Sequence, residues 1–269
     1  MGPIIDVGSG PPIVLIPGIQ GRWEWMRPSV DALAVRCRVV TSSLPGEPGC
    51  GRFAREDGFD QLVQHVDNLM DTVQISSAVI CGVSFGGLVA LRYTARRSER
   101  VRALILVSAP GPGWKPAAHQ ARYMRRPTLS APFFALGAVK RIWSELRVTL
   151  PDHRARLAFC AKWALSVMAA PAVPWRMGHR ARLAAAEHFE EDCSHIKVPT
   201  LIIAGERELD KVVRPDDTMG YVTAISGAQF QLFEHTGHLG TVSAPERFAA
   251  IVGKFVKGLS DNTWPTSAS

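Results

Sequence analysis

The sequence predicts an α/β protein with a doubly wound, mostly parallel β-sheet and an inserted helical cap. Short apolar runs alternate with helical patterns along most of the chain, and this alternation stops between residues 110 and 199. Alternating strands and helices are typical of a parallel sheet covered by helices on both faces. The 269 residues fit one large α/β domain that carries an insertion.

Six apolar runs are the predicted strands, because near-continuous apolar runs are typical of strands buried on both faces. They cover residues 12–16, 38–41, 78–83, 101–107, 199–205 and 228–233. The last run alternates more between apolar and polar residues, which favours an edge strand. A weaker run at residues 4–7 predicts one further strand ahead of the others.

Helical patterns lie between these runs, at residues 27–35, 59–73, 88–96 and 245–256. Residues 111–195 instead predict several consecutive helices, rich in Ala, Arg, Trp and Pro. We expect these helices to cover the carboxyl ends of the strands, where open α/β sheets bind ligands. The predicted organisation is a core of residues 1–110 and 196–258, a helical cap or lid at 111–195, and a flexible tail at 259–269.

The net charge of +7 comes from the predicted cap. Residues 111–195 contain 13 Lys and Arg against 6 Asp and Glu, whereas the rest of the chain contains 18 of each. Such an excess steers an anionic substrate or forms a solvated helical surface. We expect the cap arginines to face solvent, because burying an unpaired charge is costly. No zinc-finger or RNA-binding signature accompanies the charge, so nucleic-acid binding is not expected.

The five cysteines, at positions 37, 50, 81, 160 and 193, fit neither a disulfide framework nor a metal site. We therefore expect a reduced cytoplasmic protein. No apolar run approaches the roughly 18 residues that a membrane span requires, and the first residues do not resemble a signal peptide. The sequence predicts no cofactor, because it has no metal-ligand cluster and no phosphate-binding glycine loop.

The segment Cys-Gly-Val-Ser-Phe-Gly-Gly at residues 81–87 is the main chemical signal. It has the form G-x-S-x-G, with an apolar run before it and a helical pattern after it. This context predicts a nucleophile elbow, a sharp turn that exposes the hydroxyl of Ser84 at the end of a strand. The helix that follows directs free N–H groups and a positive dipole end toward an oxyanion.

A nucleophilic serine requires a base and an acid. In a fold with this elbow the acid and the histidine follow the serine in that order. His235 and His238 both follow the last predicted strand, and we favour His238 because it lies further into the loop after Gly237. The acid is Asp210 or Glu208, since both follow the fifth strong strand closely.

An oxyanion hole requires two N–H donors. The sequence predicts the backbone of Phe85, directly after the serine, and that of Ile19, in the loop after the first strong strand. We expect Gln20 to add a side-chain amide. Trp23 is predicted to line the substrate pocket or to pack beneath the next helix, and Trp114 is the cap tryptophan assigned to the pocket.

The motifs together resemble the α/β-hydrolase fold superfamily, in its esterase- and lipase-like branch with a helical cap. The resemblance runs from about residue 11 to 257, and the segments GVSFGG, PGIQG, GERELD and HTGHLG occur in the superfamily's order. The residues after Asp210 resemble the stretch after the acid in this fold, which favours Asp210 over Glu208. Two features differ: the oxyanion loop begins Pro-Gly where His-Gly is usual, and the acid loop is two residues longer than the common Gly-x-x-Asp.

The resemblance implies a serine hydrolase that cleaves a small to medium carboxylic ester, thioester or lactone through an acyl-enzyme. One alternative is hydrolysis of a C–C bond in a diketone-like acid, for which the basic cap offers a carboxylate-binding surface. Another is a ligand-binding protein that keeps the fold without catalysis. In each case the expected partner is a small molecule.

Overall fold

The computed structural model describes residues 2–51 and 58–259, in which seven strands form one sheet in the order β1-β3-β2-β4-β5-β6-β7. β1 pairs antiparallel with β3, and the other neighbouring strands are parallel. The predicted α/β fold with a mostly parallel sheet is confirmed. The strands are β1 (Ile4–Val7), β2 (Pro12–Ile16), β3 (Arg38–Ser42), β4 (Ala78–Val83), β5 (Val101–Val107), β6 (Thr200–Ala204) and β7 (Gln229–Leu232).

Helices cover both faces of this sheet, as a mostly parallel sheet requires. Within the described residues they are α1 (Arg27–Ala34), α2 (Asp60–Thr72), α3 (Phe85–Arg96), α4 (Ala118–Arg125), α5 (Pro127–Thr149), α6 (His153–Ala169), α7 (Pro174–Ala186), α8 (Phe189–His195), α9 (Pro215–Ala224), α10 (Gly240–Ser243) and α11 (Pro245–Leu259). Two hydrophobic clusters lie on the two faces. One joins the sheet to α2, α3 and α9, and the other joins it to α1 and α11.

The predicted strands match the observed ones closely, and β2 to β6 are largely buried apolar runs. β2, β4 and β5 have the predicted bounds, and all four residues of β7 are exposed, as expected at an edge. The sequence did not predict α9. Its signal was Pro215 at the first helical position, followed by Asp216 and Asp217 in the first turn, a pattern that favours a helix start.

Residues 111–195 contain five consecutive helices, α4 to α8. α6 has no buried residue, and Leu157, Leu165 and Met168 on it are 51%, 62% and 69% exposed. α8 is tied to the core by Arg92 of α3, whose Nε donates a 2.6 Å hydrogen bond to Asp192. The predicted tail lies outside the described residues except for residue 259.

No single helix in the described ranges has the length and apolar composition needed to cross a membrane. α6 and α7 pass the same test only as a pair, and that pair is bent by 90°.

Candidate active site

Ser84 lies in a strained turn between β4 and α3, with φ 54° and ψ −123°. Glycines flank it because the chain segments cross at contact distance. A Cβ on Gly82 would overlap the carbonyl oxygen of Gly86, and a Cβ on Gly86 would overlap that of Ile16 at the end of β2. A non-glycine residue at positive φ held by such packing is a strained backbone position, which is typical of functional sites.

The loop after β7 brings His238 to this turn. His238 Nε2 lies 3.1 Å from Ser84 Oγ, and His238 Nδ1 lies 3.1 Å from Asp210 Oδ2. Both distances are those of hydrogen bonds. The structure therefore brings Ser84, His238 and Asp210 together in one chain of hydrogen bonds.

The other two polar candidates lie apart from this chain of bonds. Glu208 is exposed on the turn after β6. His235 has φ 54° and its backbone N–H donates a 2.7 Å hydrogen bond to Glu206 Oε1, so this pair ties the two loops together.

Asp210 is itself held by the backbone that follows it. Its Oδ1 accepts the N–H groups of Val212 and Val213, each at 2.9 Å, which leaves Oδ2 for His238. Burial raises the pKa of Asp210, but the charge of His238 and these hydrogen bonds outweigh burial and hold the pKa below its ordinary value. The carboxyl group is therefore ionised at neutral pH.

Burial alone would lower the pKa of His238, because it disfavours the charged imidazolium. The charge and hydrogen bond of Asp210, with a smaller effect from the charge of Glu145, outweigh it and raise the pKa above 6.5. These carboxyl groups stabilise a positive charge on His238, which is the charge that a base acquires when it accepts a proton.

The two predicted oxyanion donors lie on neighbouring segments. Phe85 is the first residue of α3, so its N–H is among the four that a helix leaves without an intrahelical acceptor. Ile19 lies two residues after Pro17, whose carbonyl oxygen lies close to Gly86 of the elbow. Gln20 is half-buried and its Oε1 lies 2.8 Å from the position a Cβ on Gly18 would take, so its amide lies over that glycine.

Of the predicted pocket residues, Trp23 is only 6% exposed and packs in a short 3₁₀ helix, Trp23–Met26, with the Arg27 guanidinium 4.9 Å from its ring centre. Trp114 is half-buried against the hydrophobic cluster that contains Phe85.

Sequence reasoning missed two buried residues of the helical segment that reach the site. Glu145 of α5, 1% exposed, accepts the N–H groups on either side of His238. Its signal was the scarcity of acids in a basic segment, since residues 111–186 contain 13 Lys and Arg but only two acids, Glu145 and Asp152.

Arg180 of α7 is the second missed residue, and it corrects the expectation that the arginines of this segment face solvent. It is 1% exposed, because its guanidinium is paired at 2.8 Å with the fully buried Glu47. It also donates a 3.1 Å hydrogen bond to the carbonyl oxygen of Ile19, so it braces the predicted oxyanion loop. No local pattern could reveal this pair, because its members are 133 positions apart.

Among residues 2–51 and 58–259, no group of three or more His, Cys, Asp or Glu side chains is arranged to hold a metal ion. The polar side-chain groups that the structure places around this site are the hydroxyl of Ser84, the imidazole of His238 and the buried carboxyl groups of Asp210 and Glu145.

A parallel sheet with a strand–serine–helix elbow, followed in the chain by the acid and the histidine, defines an α/β hydrolase. The family model for the alpha/beta hydrolase fold matches residues 11–245, and the chain belongs to this family.

Characterised relatives span nearly the same length. The chain is 28% identical over 272 residues to 2-hydroxymuconate semialdehyde hydrolase of Pseudomonas sp. strain CF600, covering 93% of this chain and 88% of the relative. It is also 28% identical over 240 residues to 3-oxoadipate enol-lactonase 1 of Acinetobacter baylyi, covering 89% and 85%. Relatives with these names support a hydrolase.

Solved structures agree on the fold. An esterase from Exiguobacterium antarcticum superposes with a TM-score of 0.79 at 20% identity, covering 94% of both chains. The enol-lactonase from Burkholderia xenovorans gives 0.74 at 22% identity, covering 94% of this chain and 95% of that one.

Proposed function

We propose that this protein is a serine hydrolase that cleaves a small to medium carboxylic ester, thioester or lactone through an acyl-enzyme. The observation that carries the proposal is the hydrogen-bonded series Ser84, His238 and Asp210, with 3.1 Å at both contacts. A nucleophile bonded to a base, with the base oriented by a carboxylate, is the arrangement that activates a serine hydroxyl.

In this proposal Ser84 Oγ attacks the substrate carbonyl carbon while His238 Nε2 accepts the hydroxyl proton. Asp210 holds the Nδ1–H tautomer and stabilises the imidazolium. The carbonyl oxygen becomes an oxyanion that accepts hydrogen bonds from the N–H groups of Phe85 and Ile19. The imidazolium then gives its proton to the leaving group as the carbon–heteroatom bond breaks, leaving an ester on Ser84.

Water completes the proposed cycle. His238 removes a proton from a water molecule, the resulting hydroxide adds to the acyl carbon, and the returning proton restores the Ser84 hydroxyl as the acid leaves. We assign residues 111–195 as the lid over this site, with Gln20, Trp23 and Trp114 on the substrate side. A reducing, cytoplasmic location is proposed with it, and the five free cysteines support that location.

A second candidate is hydrolysis of a C–C bond in a diketone-like acid. It is favoured by the similarity to 2-hydroxymuconate semialdehyde hydrolase and by the 13 Lys and Arg of residues 111–195, which suit a substrate carboxylate. The leaving group in that reaction is a carbanion or enolate, so the proton must be delivered to carbon, whereas ester cleavage delivers it to the leaving oxygen.

The test is labelling with a fluorophosphonate probe, with Ser84→Ala as the control, followed by turnover of matched p-nitrophenyl esters, lactones and a ring-opened diketone acid. Labelling of the wild type alone, with ester or lactone turnover, supports the proposal. Turnover of the diketone acid with little ester cleavage supports the C–C hydrolase. A protein that is neither labelled nor active would favour the ligand-binding protein without catalysis.

A further inference from the structure

Helix α5 contacts the loop that carries His238 through two side chains. Glu145 Oε1 accepts the N–H of Gly237 and the N–H of Leu239, each at 2.8 Å. One turn further along the helix, Thr149 Oγ1 donates a 2.8 Å hydrogen bond to the carbonyl oxygen of His235. Residues four apart on a helix lie on one face, so a single face of α5 contacts this loop.

The opposite side of the same loop packs on the loop that carries Asp210. A Cβ on Gly237 would lie 2.7 Å from the backbone of Leu209, and the N–H of Glu206 donates a 2.8 Å hydrogen bond to the carbonyl oxygen of Thr236. The backbone around His238 is therefore fixed between the acid loop of the core and α5 of the helical segment.

From these contacts we propose that Glu145 is a positioning residue for His238, so that the placement of the base depends on the docking of the helical segment. The inference rests on the serine-hydrolase function proposed above. Glu145 acts through the two amide groups that bracket His238 and through its negative charge, and it does not contact the reacting atoms.

The pKa of Glu145 depends on its burial and on the charges of the site. Burial raises the pKa of Glu145 to about 7, against the lowering effects of the two amide bonds and of His238. The ionisable groups that act on Glu145 are His238 and Asp210, and those that act on His238 are Asp210 and Glu145. The charge on the Glu145 carboxyl group therefore affects the protonation of the His238 imidazole, and the charge on the imidazole affects that of the carboxyl group.

Two substitutions separate geometry from charge. Glu145→Gln keeps an oxygen that accepts both N–H groups but removes the charge, whereas Glu145→Ala removes both. The matched control is Glu191→Gln, the same change at an exposed position on α8. In Glu145→Ala we expect kcat to fall on the order of 10²-fold with little change in KM, the scale for a catalytic group displaced by about 1 Å.

In Glu145→Gln we expect most of kcat to remain. The acid limb of the pH profile of kcat/KM should shift to lower pH, because loss of the negative charge makes the imidazolium easier to deprotonate. Glu191→Gln should leave the profile unchanged. The pKa of His238 followed by NMR in the wild type and in Glu145→Gln gives the same comparison without any turnover.

An unchanged profile and an unchanged NMR pKa of His238 in Glu145→Gln, or an unchanged kcat in Glu145→Ala, would overturn the proposal. If Glu145→Ala does not fold, Thr149→Val and Glu145→Gln carry the test. Failure of the proposed function is a separate result: the wild type would then lack labelling at Ser84, while the NMR comparison still reports whether Glu145 acts on His238.

Discussion

The sheet core and the helical segment 111–195 are held by different kinds of contact. Most side chains in the two hydrophobic clusters come from the strands and their flanking helices, and among the described side chains of helices α4 to α7 only Ala184 is a buried member. Helices α4 to α7 are instead attached to the core through polar contacts: Arg180 on Glu47, Glu145 on the histidine loop, and Trp25 Nε1 on the carbonyl oxygen of Ala170 at 2.9 Å.

This difference has a physical consequence. Apolar packing is non-directional and tolerates volume-conserving exchange, whereas a buried ion pair requires both partners in one geometry. The core thus specifies where the strands lie, and a few directional contacts specify where the helices of the segment lie relative to the site.

We expect the largest effect on activity from substitutions of the reacting groups, which leave both kinds of packing in place. Ser84→Ala and His238→Ala should each reduce kcat on the order of 10³-fold or more, because the members of a triad act as a unit. His235→Ala should be mild, since its ring is exposed. Steady-state kinetics with thermal unfolding as a folding control provide the check, and a severe His235→Ala beside a mild His238→Ala would assign the base to His235.

We expect a buried ion pair between the segment and the core to contribute more to stability than an exposed ion pair on the surface of the core. Replacing both Arg180 and Arg176 by Ala leaves the fully buried Glu47 carboxylate without its two ion-pair partners and should cost about 3–5 kcal/mol of unfolding free energy. The control is Arg38→Ala, which breaks the half-exposed pair with Asp6 and should cost at most about 1 kcal/mol. Equal losses in urea unfolding would show that the segment does not depend on its buried pair.

The same contrast explains what could be predicted from the sequence. The strands could be predicted, because a buried strand appears in the sequence as a continuous apolar run, which can be recognised without knowing what packs against it. The elbow could be predicted, because its glycines and its serine lie close together in the chain. Glu145 and Arg180 could not be assigned, because their partners are distant in sequence and the contacts depend on how α5 and α7 dock.

The raised pKa of His238 should give activity and stability opposite dependences on pH. Activity requires the neutral imidazole, so kcat/KM should rise with pH through a midpoint above 6.5. The protonated imidazole interacts more favourably with Asp210, so its contribution to stability is complete below pH 6.5 and is lost as pH rises through the folded-state pKa.

Thermal unfolding of wild type and His238→Gln measures the second effect. The wild type should exceed the variant by more at pH 5.5 than at pH 8.5. A gap that grows toward high pH, or an activity midpoint below 6.5, would contradict the raised pKa.

The smallest expected effect concerns the charge of the segment. If its arginines face solvent apart from Arg180 and Arg176, which pair with Glu47, then kcat/KM for a neutral ester should change by less than about twofold between low and high salt. A matched anionic ester is the comparison. A strong preference for the anionic ester that disappears at high ionic strength would show that cations of the segment face the substrate and would favour the C–C hydrolase.

The sheet order also has a consequence for how the chain folds as it is synthesised. β5 ends at Val107 and its partner β6 begins at Thr200, so about 90 residues are made before that edge of the sheet can be paired. At roughly 5–20 residues per second this takes about 5–20 s. During that time an apolar strand edge is open to wrong partners, while the helices between β5 and β6 form from local contacts within microseconds. Asp210 and His238 emerge later still, so the nucleophile is made long before the groups that activate it.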